Sequence, residues 1–159
     1  MTRSGPAGSR PPLHVFRFHV RFDQRGGAAG PVPLCQGAFA ECTGLEATME
    51  PRVIQQGGSN YGAIQRVGPV SFATVVLKRG VTSGSDLWKW FQLVAGGGYG
   101  FRLDVEVEMQ DSAGHPVLTW ALRRALPVKF KAADLNARGT EVGIEELHLA
   151  HEGLSLVET

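Results

Sequence analysis

The chain has 159 residues, enough for one domain with a substantial core and too few for two ordinary ones. Hydrophobic residues make up 43%, charged residues 19%, and the formal net charge is +1. That balance supplies no basic stripe to neutralise phosphates, so no nucleic-acid specificity is expected, and no apolar run approaches the roughly 20 residues of a membrane segment.

Met1–Pro12 is rich in Gly, Pro, Ser and Arg and lacks the apolar centre of a secretory signal. It reads as a flexible leader, which leaves 13–154 as a single domain and 155–159 as a C-terminal tail. With no export signal a reducing cytosol is the default, so Cys35 and Cys42 are expected to be free thiols. Their spacing is not that of a zinc ribbon.

Period-two alternation dominates the remainder of the chain. Phe16, Phe18, Val20 and Phe22 alternate with Arg17, His19 and Arg21, which predicts a strand with one face in a core. Gly26–Pro33 reads as a loop. Ala38–Thr43, Glu46–Ile54 and Ser71–Lys78 are expected strands, and Pro51–Pro69 reads as a long connection with little apolar periodicity. One helix is expected at about 85–95. Ser83 or Ser85 can cap it, Asp86 suits its N-terminal dipole, and Gly96-Gly97-Gly98 ends it. Leu87, Trp90, Phe91 and Val94 form its buried face, with Trp88 at the flank as a boundary residue or a partner contact.

The second half begins with the clearest strand, in which Phe101, Leu103, Val105, Val107 and Met109 alternate with Arg102, Asp104, Glu106, Glu108 and Gln110. The turn-rich Asp111–His115 joins it to Val117–Arg124 as a hairpin. Further strands are expected at Val128–Ala133 and Glu141–Ala150. In the last of these Val142 and Ile144 differ in parity from Leu147 and Leu149, and a bulge near Glu145-Glu146 would bring all four to the core. The core is expected to include Phe16, Phe18, Leu87, Trp90, Phe91, Leu103, Val105 and Trp120, with Trp120 set against the helix.

No constellation of reactive side chains emerges. Asp104, Glu106 and Glu108 on an alternating strand read as a solvated or lumen-facing row, and His148 and His151 have opposite strand parity and do not converge on an ion. Gly96–Gly100 follows a helix, whereas a phosphate cradle precedes one. No catalytic residue, metal ligand or cofactor is expected.

A series of motifs in order carries more information than any one of them. They are Phe16-Arg17-Phe18-His19-Val20, Phe39-Ala40-Glu41-Cys42-Thr43-Gly44-Leu45, Gly57-Gly58-Ser59-Asn60 and Val76-Leu77-Lys78-Arg79-Gly80. Leu87-Trp88-Lys89-Trp90-Phe91, Trp120–Lys129 and Ile144–Leu154 come after them. The succession, over roughly 14–154, resembles the tail-tube family of contractile phages and of phage-tail-like contractile injection systems. Cys42-Thr43-Gly44-Leu45 stands where that family has an element like Val-Ser-Gly-Leu, with the glycine and leucine kept.

The resemblance implies a mostly β fold, an antiparallel β-sandwich or barrel-like tube subunit with one α-helix. It further implies a homo-oligomer of hexameric rings stacked into an inner tube, with sheath, baseplate and tube-cap proteins as partners and assembly in a bacterial cytoplasm. A tube-initiation or adaptor ring joining tube to baseplate is the alternative, and a small-molecule-binding β-barrel a remote one. Gln55, Gln56, Asn60, Tyr61, Ile64, Gln65, Arg66 and Trp88 are the expected assembly residues, because the long connection has few apolar anchors on which to order within its own subunit.

Overall fold

A computed structural model of the chain describes residues 17–23, 39–55, 57–58, 62–81, 84, 86–97, 102–140 and 142–157. Its elements are β1 (Arg17–Asp23), β2 (Glu41–Thr43), β3 (Ala47–Met49), β4 (Arg52–Ile54), β5 (Ile64–Arg66), β6 (Val70–Phe72), β7 (Val75–Gly80), α1 (Asp86–Ala95), β8 (Leu103–Gln110), β9 (Pro116–Lys131), β10 (Ile144–Ala150) and β11 (Gly153–Val157). The fold is mostly antiparallel β with one helix, as expected. Phe16, Phe101, Ser83, Ser85 and the 26–33 loop lie outside the described residues.

The strands follow the order β1-β8-β9-β10-β7-β2, with β11 also on β9. β9 is the backbone of this arrangement. Its first half pairs with β8 and β11 and its second half with β10, so one strand of 16 residues serves both walls of the body. Val20, Phe22, Leu103, Val105, Val107 and Leu122 from one wall meet Val75, Leu77, Leu147 and Leu149 from the other in a single core. Leu87 and Trp90 of α1 complete it, and Trp90 meets Phe22 edge-on at 5.6 Å between ring centroids.

Val117–Arg124 and Val128–Lys131 are therefore parts of one strand, which ends before the expected Ala132-Ala133. The chain passes the Leu126-Pro127 interruption by shifting register twice. Between Leu103 and Val105 of β8 the partner skips from Ala125 to Leu122, and Arg124 takes a left-handed φ of 51° while the Asp104 carboxylate accepts its backbone N–H at 3.0 Å. Between His148 and Leu149 the partner skips from Lys129 to Pro127. A proline has no N–H to give to a ladder, and a bulge is where a sheet tolerates one.

The bulge expected at Glu145-Glu146 is absent. Glu145, Leu147 and Leu149 alternate inward without a break, while Val142 and Ile144 are 76% and 51% exposed. Glu145 takes an inward position because its cross-strand partner is the buried Arg79. The tail reading of 155–159 also gives way, since β11 runs through Val157, and Glu46–Ile54 and Ser71–Lys78 are each broken into two short strands.

Among the expected core residues, Leu87, Trp90, Leu103 and Val105 are fully enclosed and Phe18, Phe91 and Trp120 are half-buried. Trp120 lies opposite Val107 and Leu156 in the ladder, and packs against the core from its margin. The central tryptophan is Trp90.

Candidate assembly surface

Residues 47–54 and 64–72 pair as a hairpin arm, so much of Pro51–Pro69 is not the plain connection that was expected. β3 pairs with β6 and β4 with β5, and the two short ladders differ in register by one residue across Glu50-Pro51 and Val67–Pro69. Gly68 is required at that offset: a Cβ there would lie 1.7 Å from the Glu50 carbonyl oxygen, so the two backbones cross closer than any side chain allows. At the root Gly44 does the equivalent work, with φ +88° and a notional Cβ 2.1 Å from the Thr74 carbonyl oxygen. These prolines and glycines interrupt the alternation that would otherwise announce two strands.

The arm carries its apolar side chains in the open. Met49, Val53, Ile54, Ile64, Val67 and Val70 are between 38% and 77% exposed. Of the expected assembly residues, Gln55, Ile64, Gln65 and Arg66 lie exposed on this arm, and Gln56, Asn60 and Tyr61 fall outside the described residues. Arg52 sits directly opposite Arg66 in the ladder, and among the described residues neither has an ion-pair partner. Like charges directly opposed across a ladder disfavour the pairing, which leaves a demand for an anionic neighbour.

Trp88 lies elsewhere, on the outer flank of α1. It stacks on Phe91 at 5.7 Å, leans on Phe130 of β9 at 5.5 Å and remains 45% exposed. A rigid, half-exposed aromatic ring on a supported platform is the kind of group that anchors protein interfaces. The structure does not bring it together with the arm residues into one contiguous site.

A third feature is the seam between the two edge strands, β1 and β2. A cleft of about 310 Å³ opens there, lined by Phe18, Cys42, Leu45, Val107 and Met109 with Ala40 and Glu41. Burial pushes the Cys42 thiol up to about 11, so at neutral pH it is a protonated, weakly nucleophilic group. Edges that no described strand pairs with, bordering an apolar cleft, invite another chain.

Sequence reasoning missed the charged knot that supports these surfaces. The Arg79 side chain, 4% exposed, donates from Nε to Glu145 and from Nη2 to Asp86 at 2.6 Å, and its guanidinium lies 5.6 Å from the Phe39 ring. Asp86 is the first residue of α1, so one buried cation joins β7, β10 and the helix N-terminus. Burial alone would raise the Asp86 carboxyl, but its bonds to Arg79 and to the Leu87 backbone N–H outweigh that and hold it below its ordinary value. For Arg79, burial works against the charge and the bonds to Asp86 and Glu145 prevail, raising it above the ordinary arginine value. The signal was available: Arg79 shares strand parity with Val75 and Leu77, and Glu145 with Leu147 and Leu149.

The carboxylate row on β8 is spoken for in part by Arg21, which contacts Glu106 at 2.6 Å and Glu108 at 4.0 Å. His148 contacts Glu146 at 3.2 Å, while His151 turns to the Gly153 carbonyl and the Phe72 ring. Among the described residues no three His, Cys, Asp or Glu side chains cluster as metal ligands do.

Comparison with known proteins gives this architecture a context. The model of the T4-like virus tail tube protein gp19 family matches residues 14–155. A chain in the cryo-EM structure of the anti-feeding prophage baseplate, 6-fold symmetrised, superposes with a TM-score of 0.78 at 28% identity, covering 94% of this chain and 97% of that one. A chain of the sheath-tube complex of an extracellular contractile injection system gives 0.71 at 17% identity, with 93% of each chain covered. Hcp1 from Flavobacterium johnsoniae gives 0.58 at 12% identity, over 89% of this chain and 94% of that one. No curated protein sequence matches the chain significantly. The antiparallel body, the single helix and the match over residues 14–155 agree, and the chain belongs to the T4-like virus tail tube protein family, as a structural protein of the contractile-injection type.

Proposed function

We propose that this chain assembles into hexameric rings that stack as the inner tube of a contractile injection system, with sheath, baseplate and cap proteins as its neighbours. The observation that carries the reading is the arm. A two-stranded hairpin is marginal in water by itself, and this one leaves its aliphatic side chains uncovered. A neighbouring subunit supplies the missing cover. The seam between β1 and β2 and the Trp88 platform are further surfaces for lateral contact within a ring. Assembly takes place in a bacterial cytoplasm, and the role is mechanical with no catalytic step.

A second reading makes the chain a tube-initiation ring joining tube to baseplate. The 28% identity to a chain from a baseplate structure favours it. Negative-stain images of the purified protein separate the two: long tubes mark the repeating subunit, and single rings that stay single mark the initiator. Replacing Gln55–Arg66 by a short Gly/Ser link tests the arm itself. The expected product is a folded subunit with native circular dichroism that forms no tubes. Long tubes from the shortened chain would remove the arm as the stacking element, and outright unfolding would make it part of the core.

A further inference from the structure

The root of the arm rests on a histidine. Phe72 is the last residue of β6, opposite Ala47, and its ring lies 5.2 Å from the His151 ring at an interplanar angle of 40°. His151 stands between Ala150 at the end of β10 and Gly153 at the start of β11, where the chain passes from one wall to the other. Its Nδ1 donates to the Gly153 carbonyl at 3.0 Å, so in the neutral ring Nε2 carries no hydrogen. That second nitrogen is enclosed, and no hydrogen-bonding group of the described residues reaches it.

The place suits a neutral ring. A second proton would turn Nε2 into a charged donor with no acceptor, and the attraction of a cation to the Phe72 face offsets only part of that cost. The ionisable groups on the surrounding elements supply no acceptor either. Arg123 of β9 pairs with Gly153 in the ladder, and its Nε lies 3.5 Å from where a Cβ on Gly153 would stand. The Glu152 carboxylate is engaged by Arg102 and Arg124, each at 2.8 Å. Glu46, at the arm's root, is exposed.

We propose that His151 is a proton-sensitive latch for the arm. In its neutral form the ring closes on Phe72 and fixes the arm against the body. With a second proton the ring leaves Phe72 for water, and the root of the arm opens. The latch is therefore closed above the pH range in which histidine takes up its second proton and released below it. Its consequence for tubes rests on the assembly role proposed above for the arm, whereas the latch itself does not.

The test compares the full chain with His151→Phe at pH 7.5 and 5.5, below the concentration at which tubes form. The variant keeps an aromatic ring against Phe72 and has no proton to gain. The readout is amide exchange over residues 69–74, corrected for the intrinsic pH dependence of exchange, with the Ala73 N–H that bonds the Glu46 carbonyl as reporter. A ring with the ordinary histidine value of about 6.5 that is charged only when open implies about tenfold more opening at pH 5.5. The variant is expected to open equally at both. His19, His115 and His148 are present in both proteins, so any response of theirs appears in both. His151→Gln, which can still donate to Gly153 and does not titrate, provides the same comparison where the phenylalanine fails to fold. A wild-type chain indifferent to pH, or a variant that responds as the wild type does, overturns the latch. At tube-forming concentration, sedimentation is expected to show wild-type tubes coming apart at pH 5.5 and variant tubes persisting. An arm that opens on acidification while wild-type tubes persist leaves the latch standing and overturns the arm's role in stacking.

Discussion

In β7 the side chains of Val75 and Leu77 have no exposed surface, whereas in the arm Val53, Val67 and Val70 are 59%, 77% and 52% exposed. The residue types are the same. Enclosing a valine or leucine fully contributes about 1.5–3 kcal/mol, so the body draws its stability from such residues and the arm holds the same stabilisation in reserve. The difference lies in what backs each ladder. β7 is flanked by β2 and β10 and covered by the opposite wall, while among the described strands β4 and β5 pair only with each other. Stability is thereby concentrated in the body, and the proposed assembly role falls to a part of the chain that contributes little to it.

The largest effect should come from the buried cation. Arg79→Met removes the partner of Glu145 and leaves a carboxylate in the core interior, a change that costs about 3–5 kcal/mol. Urea unfolding is the measurement, and a loss below about 1 kcal/mol would mean that the knot does not hold wall and helix together. The same knot sets an acid limit. Asp86 titrates below its ordinary 3.8 in the folded chain, so its contribution is full above that pH and lost as pH falls through the lower folded value. The melting temperature should therefore fall below about pH 4, and less steeply in Asp86→Asn.

Trp120→Ala comes next. A half-buried ring at the margin of the core should cost about 1–3 kcal/mol, less than the 3–5 kcal/mol of an enclosed tryptophan such as Trp90. Equal losses at the two positions would place Trp120 in the centre after all. The smallest effect on stability should come from Gly68→Ala. The added methyl meets backbone at the arm's offset and opens the arm, yet the body is untouched. Denaturation should shift little while tube formation is lost, and a large drop in stability would show that arm and body fold as one unit.

Much of the body was legible because its strands repeat a simple period. β1 and β8 alternate without a break, and α1 begins and ends within a residue of the expected bounds. The arm was harder to read. Its strands are three residues each, and Pro51, Gly68 and Pro69 interrupt the pattern at the register offset. The continuity of β9 was hidden by Pro127, because a bulge absorbs a proline in a way that local propensity does not express. The charged knot was overlooked for another reason: an arginine at a core parity reads as a break in the pattern until its partner on the neighbouring strand is known.

The passage of β9 from one wall to the other has a mechanical consequence. If the two walls were joined only by loops, a force along the particle axis could slide one past the other by distorting the connections. Here a single covalent strand is common to both, and β8, β10 and β11 are bonded along its flanks. Tension entering one wall runs through the peptide backbone at Arg124 into the other. Separating the walls then means shearing whole ladders at once, where a loop-jointed body could be unzipped bond by bond.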